Sequence, residues 1–269
     1  MPGIMCPHAR TYLRPMIPVG DELPTLRTPI VTIGLLVAMW MVWLFVEGAG
    51  LNELRLAAAV CNWGMVPAEL THRLPVGFSV PITEGAACAI DDWPSNYLTP
   101  ITSMFLHGSF GHIIGNSLYF WIFGNNIEDS MGRQRFLAFY LVCGLAAAAA
   151  HVFVDSASPF PTVGASGAIS GVLGGYLVLY PRTRVAMFFF PFVWRLPAWL
   201  VLVMWFGIQV ITGLPSLMQV RPEVSGGVAV WAHVGGFLAG VVLVRFFVNP
   251  SLVEAHRRMM ATAHTGYFR

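Results

Sequence analysis

No lysine occurs in this chain of 269 residues; its fifteen basic side chains are all arginine. Acids are scarce too, thirteen in all, so charged residues make up 10% of the composition. An ordinary soluble domain carries about a quarter. That shortage, set against 56% hydrophobic residues, excludes a mostly water-solvated chain and assigns most of the length to membrane spans. With a net charge of +2 and arginines spread between apolar runs, nothing points to a nucleic-acid partner. Absent as well is the apolar core of a cleavable signal peptide, because arginines and prolines interrupt Met1 to Pro29. The first apolar run is therefore expected to act as an uncleaved signal anchor.

A bilayer core takes about 20 apolar residues as helix, with about 17 tolerated. Six segments approach this length: Ile30–Val46, Thr102–Phe123, Phe136–Phe153, Val163–Tyr180, Leu196–Leu214 and Val228–Val248. The expected fold is all-α, a polytopic bundle of six transmembrane helices. Residues 1–29 form a first tail, 30–248 the membrane domain and 249–269 a second tail. The run Val185–Val193 is too short to span and holds a proline, so it is expected at the interface, leading into the fifth helix.

Arginine distribution orients the bundle. With the N-terminus cytoplasmic, eleven arginines fall on the inside and only Arg55, Arg73 and Arg221 outside, while Arg245 snorkels inward from the last span. Both termini are then cytoplasmic. The long loop Glu47–Ile101 lies outside and is expected to form short interfacial helices on the membrane surface. Cys61 and Cys88 fall in it, where an oxidising compartment permits a disulfide; two free thiols are the alternative. Cys6 and Cys143 have no evident partner. The lack of a targeting presequence points to a bacterial plasma membrane.

Polar side chains are expensive at membrane depth and mark function there. Spans two, four and six all run inward from the outer face. Ser166 opens span four, His233 lies a few residues into span six, and His112 with Asn116 lies in the first half of span two. At ~1.5 Å rise per residue the four share one shallow depth. Serine is a weak nucleophile until a base takes its proton, and imidazole suits that task near neutral pH. No carboxylate occurs in spans four or six, so the reading is a Ser–His dyad rather than a triad. His112 and Asn116, spaced i, i+4, share a helix face. With the backbone N–H of Ser166 at a helix N-terminus, they are placed to hold an oxyanion. Gly167, Gly171 and Gly175 on span four, and Gly236 with Gly240 on span six, form small-residue stripes that let two helices approach closely.

At these residues the chain resembles the rhomboid family of intramembrane serine proteases. The resemblance covers about residues 100–245. It rests on HGSFGHIIGN (His107 to Asn116), Glu128 with Gly132, GASG (Gly164 to Gly167) and AHVGGFLAG (Ala232 to Gly240). It implies a six-helix core, Ser166 as nucleophile, His233 as general base, and His112 and Asn116 as oxyanion stabilisers. Glu128 and Gly132 match a structural motif at the inner end of spans two and three. Transmembrane proteins are the implied substrates, cut in or just outside a membrane segment, in contact with lipid and without metal or cofactor. Many family members place an aromatic residue four positions after the serine, packed on the catalytic histidine; here that position is Ser170. Spans two and five are the expected entry side for substrate, with Trp205 and Phe206 on span five lining a lateral gate. The alternative is a catalytically silent relative that binds and guides transmembrane clients, a class that usually lacks the serine or the histidine. A transporter is disfavoured because no paired broken helices or internal repeat is evident.

Overall fold

The computed structural model describes residues 17–217, 229–256 and 258. Four of the eleven arginines expected inside (Arg10, Arg14, Arg257 and Arg269), together with Arg221 and Cys6, lie outside the described residues, as do most of the first tail and the end of the second.

Strand β1 (Ile17–Asp21) leads to helix α1 (Ile30–Phe45). The first loop holds α2 (Glu53–Trp63), α3 (Pro67–Thr71), the hairpin β2 (Ser79–Thr83) and β3 (Ala86–Ala89), and the single turn α4 (Thr99–Thr102). Then come α5 (Phe110–Met131), α6 (Arg133–Val154), α7 (Ser166–Leu179), β4 (Arg184–Phe189), β5 (Phe192–Pro197), α8 (Ala198–Leu217) and α9 (Val230–Phe247).

Most of the mass is helical, in keeping with an all-α bundle, to which small strand elements are added that the apolar pattern did not reveal. The run placed at the interface is an antiparallel hairpin, β4–β5, and β1 adds to its free edge in the order β1-β4-β5. A continuous apolar run without alternation cannot distinguish a covered strand from a helix. The first loop likewise holds a hairpin beside its helices. A disulfide joins Cys61 of α2 to Cys88 of β3, with Cα atoms 5.3 Å apart.

Three helices among the described residues, Arg133–Val154, Ala198–Pro215 and Val230–Phe247, are long and apolar enough to cross a membrane; Ile30–Phe45 and Ser166–Leu179 are shorter apolar helices. Side chains such as Val37 and Met41 on α1, Val203 and Ile211 on α8, and Val242 and Phe246 on α9 point outward and are exposed. A folded chain that turns this much apolar surface outward while closing its backbone hydrogen bonds within helices is built for lipid. The protein is an integral membrane protein.

Helix α7 occupies the centre. Every residue from Gly167 to Tyr176 is buried, as expected of a helix that is apolar all round. Its glycines let α9 come into backbone contact: a Cβ at Gly236 would collide with the carbonyl oxygen of Gly167, and one at Gly240 with that of Gly171. Gly174, rather than Gly175, continues this seam, facing the Phe237 carbonyl. On the other side, Phe123 of α5 meets Tyr176 edge-on at 4.9 Å between ring centroids, and Phe120 packs on Tyr140 of α6 at 5.2 Å.

Helix α5 starts eight residues later than the expected span and ends eight later. Ser109 caps it by accepting the His112 N–H at 3.1 Å, an Ncap contact that outweighs the apolar run before it. At the far end Gly132, with φ of 81°, makes the turn into α6, a conformation that favours glycine. The Glu128 carboxylate accepts from Val31 N at 3.0 Å and from Thr32 N and Oγ1, each at 2.8 Å. These are first-turn groups of α1, where free amides and the helix dipole favour an anion.

Candidate active site

Ser166 is the first residue of α7. Fourteen residues give a helix of about 21 Å, shorter than a bilayer core of about 30 Å. The chain reaches Ser166 through Gly164, whose φ of 124° only glycine adopts readily. A Cβ there would also sit 2.7 Å from the His112 ring. This glycine brings α5 and the serine together. The Gly164 N–H donates to Ser103 O at 2.8 Å, and Met65 pairs with Thr162 in both directions, at 3.0 and 2.8 Å. The first loop is thus pinned to the segment preceding Ser166.

His233 lies in the first turn of α9, and the glycine seam sets its distance from α7. Ser166 Oγ and His233 Nε2 are 2.7 Å apart. On the other side of the ring, His233 Nδ1 and Gln209 Oε1 are 2.8 Å apart. The Trp205 ring packs on the imidazole with centroids 5.9 Å apart and planes tilted by 39°.

His112 and Asn116 occupy the first two turns of α5. Asn116 is buried, and its Nδ2 has no hydrogen-bond partner among the described residues. A buried amide without a partner costs about 1–3 kcal/mol. Such a group is retained where something else uses it. A cavity of about 600 Å³ opens over these residues, lined among others by His112, Asn116, Ser166, Trp205, Gln209 and His233. Apolar carbon dominates its walls.

Ser166, His233, His112, Asn116, Gly164, Gly167 and Gly236 therefore converge at one end of the bundle, with Gly240 one turn further along the same seam. Glu128 and Gly132 lie at the opposite end of α5, and Cys61 with Cys88 in the first loop. Ser170 is buried and donates to Ser166 O at 2.6 Å, leaving no aromatic from α7 on the histidine. Trp205 stands in its place, from α8. The expected gate aromatics both turn inward: Trp205 also approaches Phe237 at 6.0 Å, and Phe206 stacks on Phe237 at 4.6 Å. Gln209 is not evident from the sequence as a third group, because spans four and six hold no carboxylate and an amide on span five carries no charge to mark it. An amide one turn after Trp205 in an otherwise apolar span was the available signal. No group of three or more His, Cys, Asp or Glu side chains among the described residues is arranged to hold a metal ion.

A family described as the Rhomboid domain matches residues 94–250, more than half of the chain. The chain is similar to Rhomboid protein 1, mitochondrial, of Saccharomyces cerevisiae, with 25% identity over 182 residues, 64% of this chain and 48% of that protein. It is similar to Rhomboid protease GluP of Bacillus subtilis, with 38% identity over 102 residues, 38% of this chain and 18% of that one. With the human Presenilin-associated rhomboid-like protein, mitochondrial, it shares 27% identity over 154 residues, 54% of this chain and 37% of that protein. The chain spans less than half the length of each of these curated relatives. Mitochondrial and bacterial names both occur among them, so they lend no support to a bacterial plasma membrane in particular. On the Rhomboid-domain match, which holds both histidine motifs and the GASG segment, the chain belongs to the rhomboid family.

Proposed function

We propose that this protein is an intramembrane serine endopeptidase that cleaves transmembrane proteins in or beside their membrane segments. The observation that carries the reading is the 2.7 Å contact between Ser166 Oγ and His233 Nε2, in the wall of a cavity that is also lined by Asn116, whose amide has no partner among the described residues.

The reaction follows from these positions. Ser166 Oγ attacks the scissile carbonyl carbon while its proton passes to His233 Nε2. The carbonyl oxygen becomes an oxyanion, within reach of Asn116 Nδ2, the His112 ring and the first-turn amides of α7. Collapse breaks the C–N bond, and the Nε2 proton leaves with the amine. Water then attacks the acyl ester, His233 takes its proton, and Ser166 is regenerated as the carboxylic acid departs. A helical substrate hides its carbonyl in the i→i+4 ladder, so segments with Gly or Pro near the site, which unwind most readily, are the preferred ones.

In this reading α1 and α5 to α9 are six spans and the arginine-rich ends face the cytoplasm. The disulfide between Cys61 and Cys88 supports an oxidising compartment for the first loop. The test is cleavage of a generic transmembrane substrate by the purified protein in detergent, beside Ser166→Ala and His233→Ala. Loss in both folded variants supports the proposal. Binding of the substrate without cleavage by the wild type would sink it in favour of a client-guiding protein.

A further inference from the structure

Helix α8 packs on α9 through Trp205, Phe206 and Phe237, and much of its remaining face is exposed apolar surface, Val203, Ile208 and Ile211 among it. Amid those apolar residues it carries one amide, Gln209, half-buried and turned toward the cavity. Trp205 and Gln209 are i, i+4 and so share a face. Both contact the His233 ring, one on its plane and the other at Nδ1.

We infer that Gln209 is a positioning residue that completes a Ser–His–Gln triad, fixing the imidazole of His233 in the tautomer that leaves Nε2 free to accept the Ser166 proton. The inference rests on the serine-protease reading for its catalytic consequence. Its structural content stands on geometry alone. An amide oxygen carries no hydrogen, so at 2.8 Å from Nδ1 it can only accept. With Oε1 as the amide atom toward the ring, the ring hydrogen sits on Nδ1, which leaves Nε2 as the bare nitrogen facing Ser166 Oγ at 2.7 Å. In a neutral imidazole the partner of one nitrogen decides the state of the other. A carboxylate does this in the Ser–His–Asp arrangement. Here an uncharged amide does it, which suits an apolar helix where an anion would be costly.

The arrangement also accounts for Ser170. With its hydroxyl held by the Ser166 carbonyl, Ser170 puts no aromatic ring on the imidazole. Trp205 and Gln209 restrain the ring from α8 instead. Ring orientation and tautomer are set by the same pair of side chains.

The experiment uses full-length protein in detergent, labelled with 15N at histidine, and reads the protonation pattern of His233, assigned by its loss in His233→Ala. The wild type is expected to show a neutral ring with hydrogen on Nδ1. Gln209→Leu is expected to move it to the Nε2–H form, and Gln209→Glu, which keeps an acceptor, to retain Nδ1–H. In parallel, Gln209→Leu should lower kcat for a transmembrane substrate about 10–100-fold with little change in KM, a smaller loss than the ~10⁴ seen when the anionic member of a triad is replaced. Gln209→Glu should recover most of it. A wild-type ring with hydrogen on Nε2 overturns the inference, and needs no variant to fold. So does a Gln209→Leu protein with wild-type kcat. If the wild type neither cleaves nor takes up a fluorophosphonate at Ser166, the protease reading falls, while the tautomer still decides the role of Gln209.

Discussion

Gly240 of α9 lies directly over the carbonyl oxygen of Gly171 in α7, so close that a single Cβ would collide with it. The same contact one turn earlier joins Gly236 to Gly167, and Gly167 follows the serine. Separation of the serine and histidine side chains is thus controlled by backbone contact along a seam rather than by the two residues themselves.

Gly240→Leu should therefore act at a distance. Forcing the helices apart costs about 1–3 kcal/mol and lengthens the Ser166–His233 contact, so both thermal stability and cleavage should fall. Gly207→Ala on α8 is the control. A Cβ there meets nothing, and alanine is preferred to glycine in a helix by roughly 0.5–1 kcal/mol. Melting and cleavage measured on both variants test the seam; a fully active, stable Gly240→Leu protein would count against it.

Asn116→Ala separates function from stability. Its Nδ2 has no partner among the described residues, so removing it should leave the melting temperature unchanged or slightly raised. The rate of cleavage, and of fluorophosphonate labelling at Ser166, should drop about 10²–10³-fold, as for loss of one oxyanion donor. An unaltered rate would remove Asn116 from the proposed mechanism.

Glu128→Ala leaves three polar groups at the start of α1 without their acceptor. Bonds to a charged acceptor contribute about 1.5–3 kcal/mol, so a loss of roughly 3 kcal/mol is expected. Glu128→Gln should recover part of it, because one amide oxygen still accepts. Thermal unfolding of the two variants makes the comparison; the site lies at the other end of α5, so kcat of the folded fraction should stay close to wild type.

Glu47, just beyond α1, is fully buried and accepts the His107 N–H at 2.7 Å. Burial raises its pKa to about 7, against which that hydrogen bond acts only in part. A carboxyl group whose pKa is higher in the folded chain binds its proton more tightly there, so stability is greatest below the unfolded value and falls as pH rises. The window runs from the ordinary glutamate range near 4 to about 7. The contribution of Glu47 to stability should decline across it. Glu47→Gln, which keeps an acceptor for His107, should remove that contribution and be the more stable protein at pH 8, while Glu69 and Asp21, which burial raises to about 7 and about 6, keep their own. Parallel melting curves of wild type and variant at pH 5 and 8 decide this, and a difference between the two proteins that does not change with pH would count against Glu47.

Several features were legible in the chain before any coordinate. Apolar runs separated by arginine-bearing turns specify a membrane bundle because a backbone in lipid must close its own hydrogen bonds. Ser166, His233, His112 and Asn116 stand out because polar groups are costly at that depth. The strands at residues 184–197 were not legible in the run expected at the interface, because continuous hydrophobicity has no period from which to choose. The shift of α5 arose because hydropathy does not register a cap, whereas the Ser109 to His112 contact does.

Other features were decided only in three dimensions. Which nitrogen of His233 faces the serine depends on Gln209, 24 residues away on another helix, and which aromatic covers the ring depends on Trp205 rather than position 170. Composition along the chain determined where the polar residues are and at what depth, because transfer into lipid is a property of each segment by itself. Their pairing was decided by the seam between α7 and α9 and by the docking of α8, because contact between helices depends on the shapes of both partners at once.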